Sequence, residues 1–141
     1  MTLCSLFDAK TELNRLREYE FLTETEAECI DLTQVEKFFK SSVYKRIVGA
    51  NSLYREYKFM IEYPYGSSET IVQGIADCIF EESDGIVILD FKTDNVSDVN
   101  ELLVRYRKQL EIYKYAIEKI FNKRVKECIL YSLNKNDYVS F

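Results

Sequence analysis

Charge placed inside apolar strands constrains this chain more than any other feature. The stretch Gln73–Asp94 reads QGIADCIFEESDGIVILDFKTD. Two runs rich in β-branched and aromatic residues flank Ser83-Asp84-Gly85, which is turn chemistry, so the stretch reads as two adjacent strands of a hairpin. The second run, Ile86 to Phe91, is nearly all apolar, as expected of a central strand covered on both faces. Yet Asp77 interrupts the first run, and Asp90 and Lys92 close the second. A charged group in an apolar strand is costly unless it is paired or binds a metal.

Strand side chains alternate, so Asp90 and Lys92 point to one face and Val87, Leu89 and Phe91 to the other. The same alternation gives Asp77 a face shared with Ile71, Gln73, Ile75 and Ile79. If the hairpin register sets Asp77 near Asp90, the two carboxylates can share a divalent ion. Oxygen ligands suit Mg2+ or Mn2+, and Mg2+ keeps several waters when one or two carboxylates hold it. One of those waters can attack a phosphodiester, with Lys92 orienting or deprotonating it or neutralising charge on the phosphorus. The Phe91 carbonyl, between the two side chains, can supply a further ligand. Taken alone, a D-x-K triplet reads as a salt bridge at the end of a sheet.

With 141 residues, 47% of them hydrophobic, the chain suits one domain with a proper core, burying roughly two-thirds of its unfolded surface. The first third is expected to be helical. Apolar residues at helical spacing run through Leu3 to Tyr19. Thr23 or Thr25 can cap a short helix through Cys29; Asp31 or Thr33 caps another with Val35, Phe38 and Phe39 inward. Ser41 or Ser42 starts a further turn or two with Val43, Ile47 and Val48 apolar. This third reads as a helical layer over a sheet. From Ser52 the pattern becomes alternation, with Leu53, Tyr57, Phe59, Ile61 and Tyr63 on one face. Strands follow at about Thr70 to Glu81, at Ile86 to Phe91 and, after a long helix from Asp98 to about Phe121, at Lys126 to Leu133. The tail NKNDYVSF reads as an edge strand or a fraying end. The fold class is α/β, a mixed central sheet flanked by helices.

Composition excludes several functions. There is no histidine, and the four cysteines (Cys4, Cys29, Cys78, Cys128) form no CxxC pair, so neither a zinc site nor an iron–sulfur cluster is expected from this chain. They read as reduced, mostly buried cysteines of a cytoplasmic protein. No apolar run reaches the roughly 18 residues of a membrane span, and the N-terminus lacks the pattern of a secretory signal. No GxxxxGK[ST] loop is present, so ATP hydrolysis is not expected of this chain. The net charge of −5 argues mildly against a free-standing nucleic-acid binder, although metal-binding carboxylates contribute to it.

The long helix carries an apolar stripe at Leu102, Leu103, Tyr106, Leu110, Tyr113, Ile117 and Ile120. Gln109 falls within it, four residues before Tyr113, so the two project together. A glutamine there wants a partner. It can be a metal site or a phosphate, and Tyr113 can hydrogen-bond a DNA backbone oxygen or a carboxylate. A boundary glutamine beside a core tyrosine reads equally well.

In series, these motifs point to a family. G-x-x-D (Gly74 to Asp77), D-x-K-T (Asp90 to Thr93) and Q-x-x-x-Y (Gln109 to Tyr113) resemble the RecB-type nucleases of the PD-(D/E)XK superfamily. With Tyr54-Arg55-Glu56 before them, they look most like the nuclease domains of AddA-type helicase–nucleases, over about Leu22 to Leu133. The resemblance implies the restriction-endonuclease-like core. It implies Asp77 and Asp90 as metal ligands, Lys92 as the catalytic lysine, and Gln109 and Tyr113 as motif residues of the following helix. Thr93 and Asp94 would support the site or simply turn the chain. It further implies a Mg2+-dependent or Mn2+-dependent exonuclease acting on single-stranded DNA ends in recombinational repair, together with an AddB-like partner. The helicase would lie outside the chain, which is expected to be a C-terminal fragment of a larger protein. Residues 1–50 would form its helical layer and residues 51–141 its catalytic core. The chain departs from the family in lacking an upstream histidine ligand. That departure keeps open an inert module that binds a partner subunit or DNA. A stand-alone RecB-like exonuclease also stays open, although it would usually carry a cysteine cluster.

Overall fold

The computed structural model describes residues 31–141 together with Glu18, Thr25 and Glu28. The helix expected over Leu3 to Tyr19 lies outside the described residues apart from Glu18. So does the short helix through Cys29, apart from Thr25 and Glu28. The chain divides into two compact units, Met1–Val48 and Gly49–Phe141.

In the first unit, α1 (Leu32–Phe39) starts where Asp31 Oδ1 accepts the backbone N–H of Thr33 at 2.9 Å and of Gln34 at 3.3 Å. Those amides have no partner inside the helix, so the carboxylate satisfies them. Ser41 turns the corner into α2 (Ser42–Val48), its Oγ donating to the Phe38 carbonyl at 2.6 Å and accepting from the Tyr44 N–H at 3.2 Å. Phe39 and Tyr44 meet edge to face at 4.6 Å, and Phe38, Val43 and Ile47 are buried. Val48, grouped with the apolar positions, faces solvent.

The second unit is a five-stranded sheet in the order β1-β2-β3-β4-β5: β1 (Ser52–Tyr65), β2 (Ser68–Glu82), β3 (Gly85–Lys92), β4 (Val125–Ser132) and β5 (Asp137–Ser140). The first three form an antiparallel meander; β3 and β4 run parallel, joined by α3 (Glu101–Phe121), and β5 returns antiparallel as an edge. A parallel pair needs such a crossover. β3 is central, and Ile86 to Asp90 are all buried. Helix α3 packs on β1, β4 and β5. Ile86, Ile88, Ala76, Ile79, Cys128 and Leu130 form one core with Leu102, Leu110, Ala116 and Ile117 of the helix. No described helix is long and apolar enough to cross a membrane.

The alternation read from sequence breaks at one point. Glu56 has φ 48°, a left-handed value costly for a side chain with a Cβ, and the β1–β2 ladder pairs Arg55 with Cys78 and Tyr57 with Ala76 but skips the residues between. The pleat shifts there on both strands. Tyr54, not Leu53, joins Tyr57 on the helix side, both against Phe121 with centroids 5.2 and 5.3 Å away. On β2, Ala76 and Ile79 both enter the helix-side core, whereas Ile71, Gln73 and Ile75 are exposed. Asp77 therefore does not continue the face of those three residues. Two further expectations need correction. Asp98 does not cap α3: it accepts the Asn100 N–H at 2.7 Å in a turn before the helix, and Glu101 Oε1 reaches back to the N–H groups of Ser97 and Asp98. Ile120 and Gln109 are exposed, because they lie at the margins of a stripe centred on Leu110 and Ile117.

Candidate active site

Asp90 and Lys92 occupy the carboxyl end of β3, where the chain leaves the parallel pair for its crossover helix. In open α/β sheets that end is where ligands bind, because the loops diverge there and leave a crevice. Register brings the first motif to the second: Cys78 faces Leu89 across β2 and β3, so Asp77 and Asp90 are the next residues along. One Asp77 oxygen, Oδ2, accepts the backbone N–H of Phe91 at 2.9 Å, which ties it to the motif strand.

Asp90 is 5% exposed. Lys92 Nζ lies 2.8 Å from its Oδ2, but off the line that a hydrogen bond needs; this buried oxygen has a charge beside it and no aligned donor. Burial pushes the Asp90 carboxyl above the usual carboxylate range, Lys92 pulls it back, and the neighbouring Asp77 pushes it up again. The one ammonium here pairs with Asp90, Asp77 lies beside that pair, and the buried Asp90 oxygen has no aligned donor. Such a deficit of positive charge is what a bound cation corrects. Among the described residues no cluster of three or more His, Cys, Asp or Glu side chains is present. The side-chain donors at hand are the two carboxylates, an all-oxygen set that fits a hard divalent ion.

Gln109 and Tyr113 form a pair of their own. Gln109 is exposed and donates from Nε2 to the Tyr113 hydroxyl at 3.2 Å. The Tyr113 ring stands edge to face on Phe59, centroids 5.0 Å apart. Both rings press on Gly74: a Cβ there would lie 2.5 Å from Phe59 Cζ and 3.0 Å from Tyr113 Cε1. Two side chains thus make a close approach at Gly74, and it joins the first motif to the last. Among the described residues, neither Gln109 nor Tyr113 hydrogen-bonds Asp77, Asp90 or Lys92.

A further set of contacts escaped the reading of the sequence. Tyr106, taken as an apolar stripe position, donates its hydroxyl to Asp94 Oδ2 at 2.6 Å, and Arg105 reaches the same oxygen at 3.1 Å. These bonds hold the Asp94 carboxyl below the usual range, the tyrosine contributing most. Lys92 Nζ sits 3.9 Å above the centroid of the Tyr106 ring. Asn134 Nδ2 donates to the carbonyls of Thr93 at 2.6 Å and Asp94 at 3.2 Å, and the Leu133 N–H donates to the Lys92 carbonyl at 3.0 Å. The signal that could have found Tyr106 is its spacing. It lies three residues before Gln109 and seven before Tyr113, and a phenol packed partly into a core needs a partner for its hydroxyl.

The sequence pattern of the PD-(D/E)XK nuclease superfamily matches residues 6–138. An ATP-dependent helicase/nuclease subunit from Clostridium botulinum (strain Loch Maree / Type A3) is 38% identical over 94% of this chain and 11% of its own length. The protein of the same name from Clostridium kluyveri is 34% identical over 92% of this chain and 11% of its own. The chain thus spans about a tenth of the length of the curated relatives it matches.

Proposed function

The chain belongs to the PD-(D/E)XK nuclease superfamily, and from that premise we propose that it is a divalent-metal-dependent deoxyribonuclease domain of an AddA-like helicase–nuclease. Its substrate would be single-stranded DNA ends and its work the trimming of broken ends for recombinational repair. The observation that carries the reading is the buried Asp90 carboxylate, which has an oxygen without an aligned donor, Lys92 on one side and Asp77 on the other. Unwinding, ATP hydrolysis and the binding of an AddB-like partner would belong to the whole protein.

In this proposal Asp77, Asp90 and the Phe91 carbonyl hold Mg2+ or Mn2+. The ion would polarise the phosphodiester and lower the pKa of a bound water. Lys92 brings an ammonium to the edge of the carboxylate pair, where it can neutralise charge that builds on the phosphate oxygens during attack. Gln109 presents an exposed amide one turn from Tyr113 and would contact the DNA backbone beside the site. Asp94, Arg105 and Asn134 hold the loop that follows Lys92.

The test is cleavage of end-labelled single-stranded DNA with Mg2+ or Mn2+, with Asp90→Ala in parallel. Cleavage that requires the metal and disappears in the variant supports the reading. Cleavage that survives Asp90→Ala would falsify the assignment of the site. Absence of cleavage by either protein, with Mn2+ still binding, would favour the inert DNA-binding or partner-binding module that the missing histidine leaves open.

A further inference from the structure

We propose that Tyr106 is the positioning residue for Lys92: its ring is a platform that keeps the ammonium against Asp90, and Asp94 fixes the ring by holding its hydroxyl. The proposal deepens the nuclease reading and rests on it for the role of Lys92. Lysine is a poor fixed point by itself, because its four-carbon stem rotates freely and its head is a point charge. Two contacts restrain it here. Asp90 Oδ2 draws the head at 2.8 Å without an aligned hydrogen bond, so this pairing alone does not set direction. The Tyr106 ring closes the other side at 3.9 Å, within the range where the ring quadrupole attracts a cation. The ring itself cannot swing. It packs against the core cluster, and the hydroxyl is bound by Asp94 at 2.6 Å. Asp94 is steadied in turn by Arg105 at 3.1 Å and by Asn134 on its carbonyl.

The chain of contacts runs Asp94, Tyr106, Lys92, Asp90, and it crosses from the loop after β3 to the first turns of α3 and back. It gives the K-T-D ending a purpose: Asp94 faces Tyr106, not the carboxylate pair. A tyrosine that merely filled the helix–sheet boundary would need the ring area but not a lysine on its face.

Two variants separate these roles. Tyr106→Phe keeps the ring and loses the hydroxyl; Tyr106→Leu keeps apolar bulk and loses the ring. The first readout is NMR of the chain carrying 13C-labelled lysine, with the Lys92 signal identified by its loss in Lys92→Arg. Ring current should displace the Lys92 ε-methylene upfield of the other lysines in the wild type and in Tyr106→Phe, and Tyr106→Leu should abolish the displacement. The second readout is single-stranded DNA cleavage. Tyr106→Leu should lower kcat about tenfold, from the upper part of the cation–π range, with KM within about twofold. Tyr106→Phe should recover most of that loss. An undisplaced Lys92 signal in the wild type overturns the proposal. So does an unchanged kcat in Tyr106→Leu, or a change confined to KM. If the wild type shows the displaced signal yet cleaves nothing, the nuclease reading of this chain fails, while the restraint of Lys92 by Tyr106 stands.

Discussion

Replacing Gly74 by alanine tests whether the first and last motifs are joined by packing. The backbone at Gly74 is not left-handed, so alanine can adopt it and the effect comes from space alone. The new methyl would lie 2.5 Å from Phe59 Cζ, 3.0 Å from Phe59 Cε1 and 3.0 Å from Tyr113 Cε1. Carbon atoms in contact prefer about 3.5–4 Å, so the Phe59 ring must retreat by about 1 Å. Phe59 is a buried core ring wedged against Tyr113, and neither ring is the loose end of a flexible chain. Overpacking of this kind costs about 1–3 kcal/mol. Restricting the unfolded chain returns about 0.4–1 kcal/mol, so the net loss should be about 1–2 kcal/mol. Urea denaturation followed by circular dichroism at the strand band should move its midpoint down by about 0.5–1 M, given a slope of about 2 kcal/mol/M. The decisive step is a double-mutant cycle with Phe59→Leu, which removes Cζ and gives the methyl room. The cost of Gly74→Ala should then shrink by about 0.5 kcal/mol or more. A Gly74→Ala protein as stable as the wild type, or a cost equal in both backgrounds, would refute the packing argument.

Two other outcomes follow from the same structure. Because burial raises the Asp90 pKa above its value of about 3.9 in the unfolded chain, its ionisation opposes folding: this group costs nothing below the unfolded pKa and progressively more as pH rises through the folded one. The metal-free wild type should therefore lose stability relative to Asp90→Asn as pH rises above about 4. Mn2+ should restore stability to the wild type but not to the variant, and thermal melts showing equal pH dependence in both would contradict this. Burial also pushes the thiols of Cys78 and Cys128 up to about 12, and both are free and buried. Iodoacetamide at pH 8 should leave both unmodified in peptide maps of the native protein, and rapid labelling of either would show that the core opens there.

The hairpin and its charges were readable because the signals are local. Asp90 and Lys92 share a face through the period of one strand, and a carboxylate in an apolar run announces itself without reference to the rest of the chain. The succession of strands and the long helix between the third and the fourth followed from runs of apolar residues and turn chemistry, whereas the tail read equally as an edge strand or a fraying end. The cap could be narrowed to Asp31 or Thr33, of which Asp31 serves, because capping involves residues only two or three apart. Where the reading failed, a second element intervened. The face of Asp77 was misassigned because Glu56, on the neighbouring strand, takes a left-handed turn opposite it and shifts the pleat of both. Gln109 was set in the stripe by spacing, but the rotation of α3 against the sheet centres on Leu110 and Ile117 and leaves the amide in solvent.

By itself the sequence determined which groups are available: two carboxylates and a lysine at a strand end, an all-oxygen donor set, and a helix bearing tyrosines and a glutamine at three- and four-residue spacing. These depend on residue type and on periods of two and 3.6, which any short segment carries within itself. Only the tertiary structure decided which of them meet. Residues 94 and 106 are joined by a hydrogen bond, 92 and 106 by a cation on a ring, and 59, 74 and 113 by van der Waals contact. Such contacts depend on strand register and on the height and rotation of one helix over a sheet. Those quantities emerge from the packing of the whole core, and no pattern confined to one segment encodes them.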